Sequence, residues 1–174
     1  MFSGVVLAAM AVACGEAAES ESTSRVSGSM TVHGTVSTRL SVDNARGARL
    51  AARHLIDLGH RRIGLVGGHA HLDVVHNVPT ERAAGFAAAL EAAGLRLPHQ
   101  FVEDGDFSIE GGRRAMHALM SRTKPPTAVW LMSDEMCFGA LQALRELKLV
   151  AGRDVSVIGF DDHPASNAFG LTTI

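Results

Sequence analysis

The chain has 174 residues, 47% of them hydrophobic, which is enough apolar content for a core of ordinary size. Its formal net charge is -2, from 16 basic and 18 acidic residues, so it lacks the basic surface with which proteins grip phosphate backbones. The two cysteines, Cys14 and Cys137, stand far apart in apolar surroundings, which suits a reducing compartment and buried thiols better than a disulfide framework, and no apolar run approaches the ~20 residues of a membrane-spanning helix.

The first apolar stretch runs from Phe2 to Cys14 and ends Ala11-Val-Ala-Cys14, which looks like the small-residue box before a lipidated cysteine. The first basic residue is Arg25, however, so the positive segment that opens a signal peptide is missing, and Gly4 to Ala9 read as a buried strand instead. Gly15 to Ser29, rich in Glu, Ser and Gly, read as a surface loop or poorly ordered segment.

From Thr31 onward, short apolar runs alternate with helical patterns, as repeated βαβ units require. Strands are expected at 31–33, 62–67, 101–103, 127–132 and 155–160, with four helices between them. Asp43 or Asn44 caps the first helix, which carries Leu50, Ala51, Leu55 and Leu58 on one stripe and stops at Gly59. Pro79 opens the second and Gly94 closes it. Ser108 caps the third, and Ser133 or Asp134 the fourth. The fold class is α/β, a doubly wound parallel sheet.

Between the first two expected strand-helix units, His69, His71 and His76 share one loop. Their spacing does not fit a helical ligand pair, and only Asp73 lies near them, so no metal site is assigned. Asp104 and Asp106 flank Gly105 as a carboxylate pair, but a turn explains them better than acid and base chemistry. There is no Gly-x-Ser-x-Gly elbow, no Gly-rich phosphate loop and no Cys with an evident His partner. No catalytic residue and no cofactor are therefore assigned, and the chain is not read as an enzyme.

The last strand says most about function. Val155, Val157, Ile158 and Phe160 leave no polar face, as in a parallel strand covered on both sides, and the strand runs straight into Asp161 and Asp162. Ligands of such sheets bind beyond the carboxyl ends of the strands. Carboxylates there can accept hydrogen bonds from hydroxyl groups, which points to a polar small molecule such as a sugar. The plainer alternative is an Asp pair that shapes a turn.

The pattern Gly47-Ala-Arg-Leu-Ala-Ala-Arg-His-Leu-Ile-Asp-Leu-Gly-His-Arg-Arg-Ile-Gly64 resembles the LacI/GalR family of bacterial transcription regulators. The resemblance continues through Glu81-Arg-Ala-Ala-Gly-Phe86, Gly105-Asp-Phe-Ser108, Pro125-Pro-Thr-Ala128, Ser133-Asp134 with Gly139-Ala-Leu141, Val155 to Asp162, and Leu171-Thr-Thr-Ile174, so that it covers about residues 30 to 174. It implies a sensor like the type I periplasmic binding proteins, with two doubly wound subdomains that close on a small effector. Residues 1–66 would be part of the amino-terminal subdomain and 67–174 the carboxy-terminal one, incomplete at its end. The helix-turn-helix head and hinge helix of the family are not expected in this chain.

The resemblance also implies the effector residues. Arg82 would offer a planar donor fork, Phe107 a flat apolar face, Asp161 a carboxylate, Ser133 a polar contact at the start of the fourth helix, and His33 a contact from the other subdomain. The implied partners are a sugar or sugar derivative, a second copy of the chain, and operator DNA bound only through the head, all in the cytoplasm. The alternatives are an exported sugar-binding lipoprotein of a transport system and a truncated remnant without function.

Overall fold

The computed structural model describes residues 42–68 and 78–174. The strands expected at 4–9 and 31–33, the loop 15–29, Cys14, His33 and the histidines at 69, 71 and 76 lie outside the described residues.

Among the described residues, four strands form one parallel sheet in the order β2-β1-β3-β4: β1 Ile63–Gly67, β2 Val102–Asp104, β3 Ala128–Leu131 and β4 Ser156–Ile158. Leu65 stands opposite Val102 on one side and Trp130 on the other, and Trp130 stands opposite Ile158. Inner strands of a parallel sheet face apolar layers on both sides, and all four residues of β3, Ala-Val-Trp-Leu, are buried. The division expected between residues 66 and 67 falls inside β1, an inner strand of this sheet.

The helices are α1 Asn44–Asp57, α2 Val78–Ala92, α3 Ile109–Met120 and α4 Asp134–Glu146. α1 packs on α2, and α3 on α4. The chain moves from β1 to β2 in one direction along the sheet and from β2 to β3 and β4 in the other, which with right-handed crossovers puts α2 on one face and α3 and α4 on the opposite face.

Local chemistry fixes the helix ends. Asp43 accepts from the Arg46 amide at 2.8 Å, Ser108 from Gly111 at 3.0 Å and Ser133 from Met136 at 3.3 Å, so the caps are Asp43 and Ser133 rather than Asn44 and Asp134. Gly59 and Gly94 follow α1 and α2 with φ of 88° and 71°, the left-handed conformation that ends a helix without a side-chain clash. His60 then donates its amide to the Leu55 carbonyl, and Leu95 to that of Leu90, which completes the usual six-to-one closure.

Close backbone approach sets how the helices pair. A Cβ at Gly85 in α2 would lie 2.5 Å from the Ala45 carbonyl oxygen in α1. In the other pair, a Cβ at Gly112 would lie 2.0 Å from the Met136 carbonyl oxygen, and one at Gly139 1.7 Å from that of Ile109. Only glycine permits these contacts, because a methyl group would sit inside the neighbouring backbone. The core between the layers holds Trp130, Phe86, Leu55, Leu90, Met116, Leu119 and Ile158, with Phe86 and Trp130 stacked at 4.6 Å.

Candidate functional site

At β1 the strand order reverses, because its successor β2 lies on one side and β3 on the other. In open α/β sheets the crevice beyond the carboxyl ends of the strands at such a point is the usual place for a ligand. Four short segments lie there: Gly68 after β1, Gly105 to Ser108 after β2, Met132-Ser133 after β3, and Phe160 to Asp162 after β4. Two of them carry non-glycine residues with positive φ, Asp106 and Phe107 at 52° and 47°, and Asp161 and Asp162 at 104° and 47°. Such backbone is unfavourable for ordinary residues and recurs where a site demands a particular side-chain direction.

Arg82, on the second turn of α2, is the centre of this region and is only 7% exposed. Its Nε donates to Asn44 Oδ1 at 2.9 Å, one Nη donates to the Met132 carbonyl oxygen, and the other Nη lies 3.4 Å from Asp161 Oδ1. The guanidinium carbon lies 3.7 Å from the centre of the Phe160 ring, a cation-π contact on its flat face. Burial pushes the Arg82 pKa down while Asp161 pulls it back up. The side chain is therefore a charged fork held by two neutral acceptors and a ring, with one edge directed to a carboxylate.

Asp161 is that carboxylate, and its side chain is 49% exposed. Partial burial holds its pKa above the usual value, Arg82 opposes this, and the neighbouring carboxylates Asp134 and Glu135 add to it. Its position depends on pairing remote in sequence. Gly159 donates its amide to the Thr172 carbonyl at 2.9 Å and Asp161 donates to that of Ile174 at 2.9 Å. β4 itself ends at Ile158 instead of Phe160, and beyond it the Phe160 carbonyl accepts from the Asp134 amide at 2.8 Å. β2 likewise runs one residue later than expected, because Phe101 belongs to a 3-10 turn, His99–Phe101.

Asp134 has a role that its position as a possible helix cap did not suggest. It is 1% exposed, and its two oxygens accept from the Ser166 hydroxyl at 2.6 Å, the Thr173 hydroxyl at 2.7 Å and the His163 amide at 2.8 Å, while its own amide donates to the Phe160 carbonyl. Asp134 thus holds both sides of the Asp161-Asp162 turn, the segment before it through its amide and the segments after it through its carboxylate. No single-residue signal announces this, since its three side-chain partners lie 29 to 39 residues away.

Of the residues expected from sequence, the structure brings Arg82 and Asp161 into contact. Phe107 is half-buried at the end of β1, where its ring crosses Gly68: a Cβ there would lie 2.0 Å from the ring edge. Ser133 is buried, and its hydroxyl caps α4. Asp162 is exposed, and its amide donates to the Thr173 hydroxyl at 3.2 Å. Asn44, Phe160 and the Met132 carbonyl belong to the Arg82 setting and were not expected there. Among the described residues no three metal-ligating side chains form a group that could hold an ion, and no helix is long and apolar enough to cross a membrane.

Residues 52–174 match the family described as periplasmic binding protein-like domain. Over 136 residues the chain is 40% identical to the HTH-type transcriptional repressor PurR of Escherichia coli, and equally to that of Escherichia fergusonii, which covers 76% of this chain and 39% of theirs. Among solved structures, a LacI transcriptional regulator from Bacillus cereus subsp. cytotoxis is 36% identical with a TM-score of 0.70, over 75% of this chain and 46% of that one. The transcriptional regulator CelR in complex with cellobiose is 36% identical with a TM-score of 0.66, over 72% of this chain and 37% of that one. The chain thus spans less than half the length of these relatives.

Proposed function

This chain belongs to the periplasmic binding protein-like family in the form found in LacI-type transcription regulators, and from that premise we propose that residues 44–174 are the sensing subdomain of such a regulator. The division of the chain is accordingly placed ahead of α1, so that the residues before it belong to the opposing subdomain. A small polar effector, a sugar or sugar derivative, occupies the crevice at the strand ends. Arg82 and Asp161 are its main polar contacts, Phe107 its apolar face, Ser133 a minor contact, and His33 a contact from the other side. The protein is cytoplasmic and not catalytic. It acts as a dimer, and closure of two subdomains on the effector shifts a two-state equilibrium that a DNA-binding head reads at an operator.

One observation carries the reading: a nearly buried arginine whose remaining edge meets a half-exposed carboxylate at the switch point of the sheet. A guanidinium and a carboxylate side by side can donate to and accept from the same pair of hydroxyl groups. The test is a thermal-shift screen of the purified chain against neutral sugars, with cellobiose included, and sugar phosphates. A ligand at ~100 times its dissociation constant adds about 2.7 kcal/mol to stability. A cooperative transition that one compound raises supports the reading, and a cooperative transition that none of them moves counts against it.

A further inference from the structure

We propose that Asn44 is a positioning residue that holds the Arg82 guanidinium in its ligand-ready orientation, with Glu81 fixing the Asn44 amide in turn. The inference rests on the reading of Arg82 as an effector contact. Its evidence is a relay of hydrogen bonds between the amino-terminal parts of two helices. Arg82 Nε donates to Asn44 Oδ1 at 2.9 Å, and Asn44 Nδ2 donates to Glu81 Oε2 at 3.1 Å.

The chemistry leaves only one orientation for the Asn44 amide. A guanidinium can only donate and an ionised carboxylate can only accept, so the carbonyl oxygen must face Arg82 and the amino group must face Glu81. Asn44 is 8% exposed, and its amide is buried in this service instead of capping α1, a task that Asp43 performs. The close approach of Gly85 to Ala45 makes the contact possible, because it brings the two helix starts together one residue from Asn44 and three from Arg82.

The consequence is geometric. A guanidinium is planar, so fixing Nε, one Nη and the ring face determines the direction of the second Nη. Asn44, the Met132 carbonyl and Phe160 supply those three restraints. The Met132 and Phe160 restraints come from the strand ends, whereas the Asn44 restraint comes from α1. Removing Asn44 leaves the charge in place and frees the plane to tilt. Arg82 is then present but no longer preorganised, which weakens a directional contact without deleting it.

The test reads Arg82 itself, without any effector. In 15N-labelled chain, the Nε–H of Arg82 gives a side-chain NMR signal whose exchange with water reports the hydrogen bond to Asn44. Asn44→Ala is expected to speed that exchange about tenfold, the change that follows loss of one hydrogen bond to a charged group. Glu81→Ala, a change at an exposed residue, is expected to speed it by a smaller factor, and Glu81→Gln, whose carbonyl still accepts from Asn44, to restore the parent rate. Unchanged Arg82 exchange in both alanine variants would overturn the proposal. Whether Arg82 touches an effector is decided separately, by Arg82→Lys in the sugar screen, so the two ideas can fail independently.

Discussion

Two arginines of this molecule sit among carboxylates and are held in opposite ways. On the outer face of α3 and α4, Arg113 lies 2.8 Å from Glu110 and 3.2 Å from Glu146, and Glu146 also meets His117 at 2.6 Å. The bonds to the two glutamates push the Arg113 pKa up, and those to His117, Gln142 and Arg113 push that of Glu146 down. At the strand ends, Arg82 has one carboxylate among the described residues, Asp161 at 3.4 Å, and burial pushes its pKa down. Short, well-formed ion pairs therefore mark the solvated helix face, where charge pairs contribute little. The longer pair, whose carboxylate is half-exposed, lies at the proposed site.

Removing what supports each arginine sharpens the contrast, and the largest effect is expected from a residue with no charge. Gly139→Ala would put a methyl group 1.7 Å from the Ile109 carbonyl and force α3 and α4 apart. A loss of about 3 kcal/mol is expected in urea unfolding, as for other overpacked contacts. If Gly139→Ala unfolds like the parent, the glycines do not set the helix pairing.

Next comes Arg82→Ala, which leaves the Asn44 carbonyl and the Met132 carbonyl without a donor and the Phe160 face uncovered. It is expected to cost about 2 kcal/mol, the range for buried polar groups left unpaired, and to remove any effector-induced rise of the melting temperature. A variant as stable as the parent would show that the cage around Arg82 is not a structural element.

Asp161→Asn tests the sign of the site's electrostatics. The folded pKa of Asp161 is raised, so its ionised form is less favoured in the native state than in the unfolded chain. Its contribution to stability is present below the usual carboxylate value of about 4 and is lost as the pH rises through the higher folded value. The asparagine variant should match the parent near the acid end and exceed it in melting temperature at neutral pH, while effector binding is lost. A lower melting temperature at neutral pH would mean that the Arg82 pairing outweighs burial.

The smallest effect belongs to the most conspicuous ion pairs. Arg113→Ala is expected to leave the unfolding midpoint indistinguishable from that of the parent in 0.5 M salt, since the cluster is screened on an exposed face. A clear loss that persists in salt would break the comparison with Arg82.

Features decided by one or two neighbouring residues were legible in the sequence. Asp43, Ser108 and Ser133 announce helix starts and Gly59 and Gly94 announce ends, because a cap needs one acceptor and a left-handed turn one glycine. What depends on distant partners was not legible. The segment after β4 is held by Thr172, Ile174 and Asp134, and the helix contacts at Gly85, Gly112 and Gly139 depend on backbone that arrives from another helix. The site divides in the same way. Arg82 and Asp161 stand in motifs that a family resemblance can carry, whereas Asn44 and Phe160 act through contacts that no local pattern records.

The most direct test of the central claim is a calorimetric titration of the chain and of its Asp161→Ala and Arg82→Ala variants with the sugar that raises the parent's melting temperature most. The account predicts saturable binding to the parent, and binding at least tenfold weaker, a difference of about 1.4 kcal/mol, to each variant although both unfold cooperatively. Equal affinity for all three would place the effector elsewhere and contradict the account.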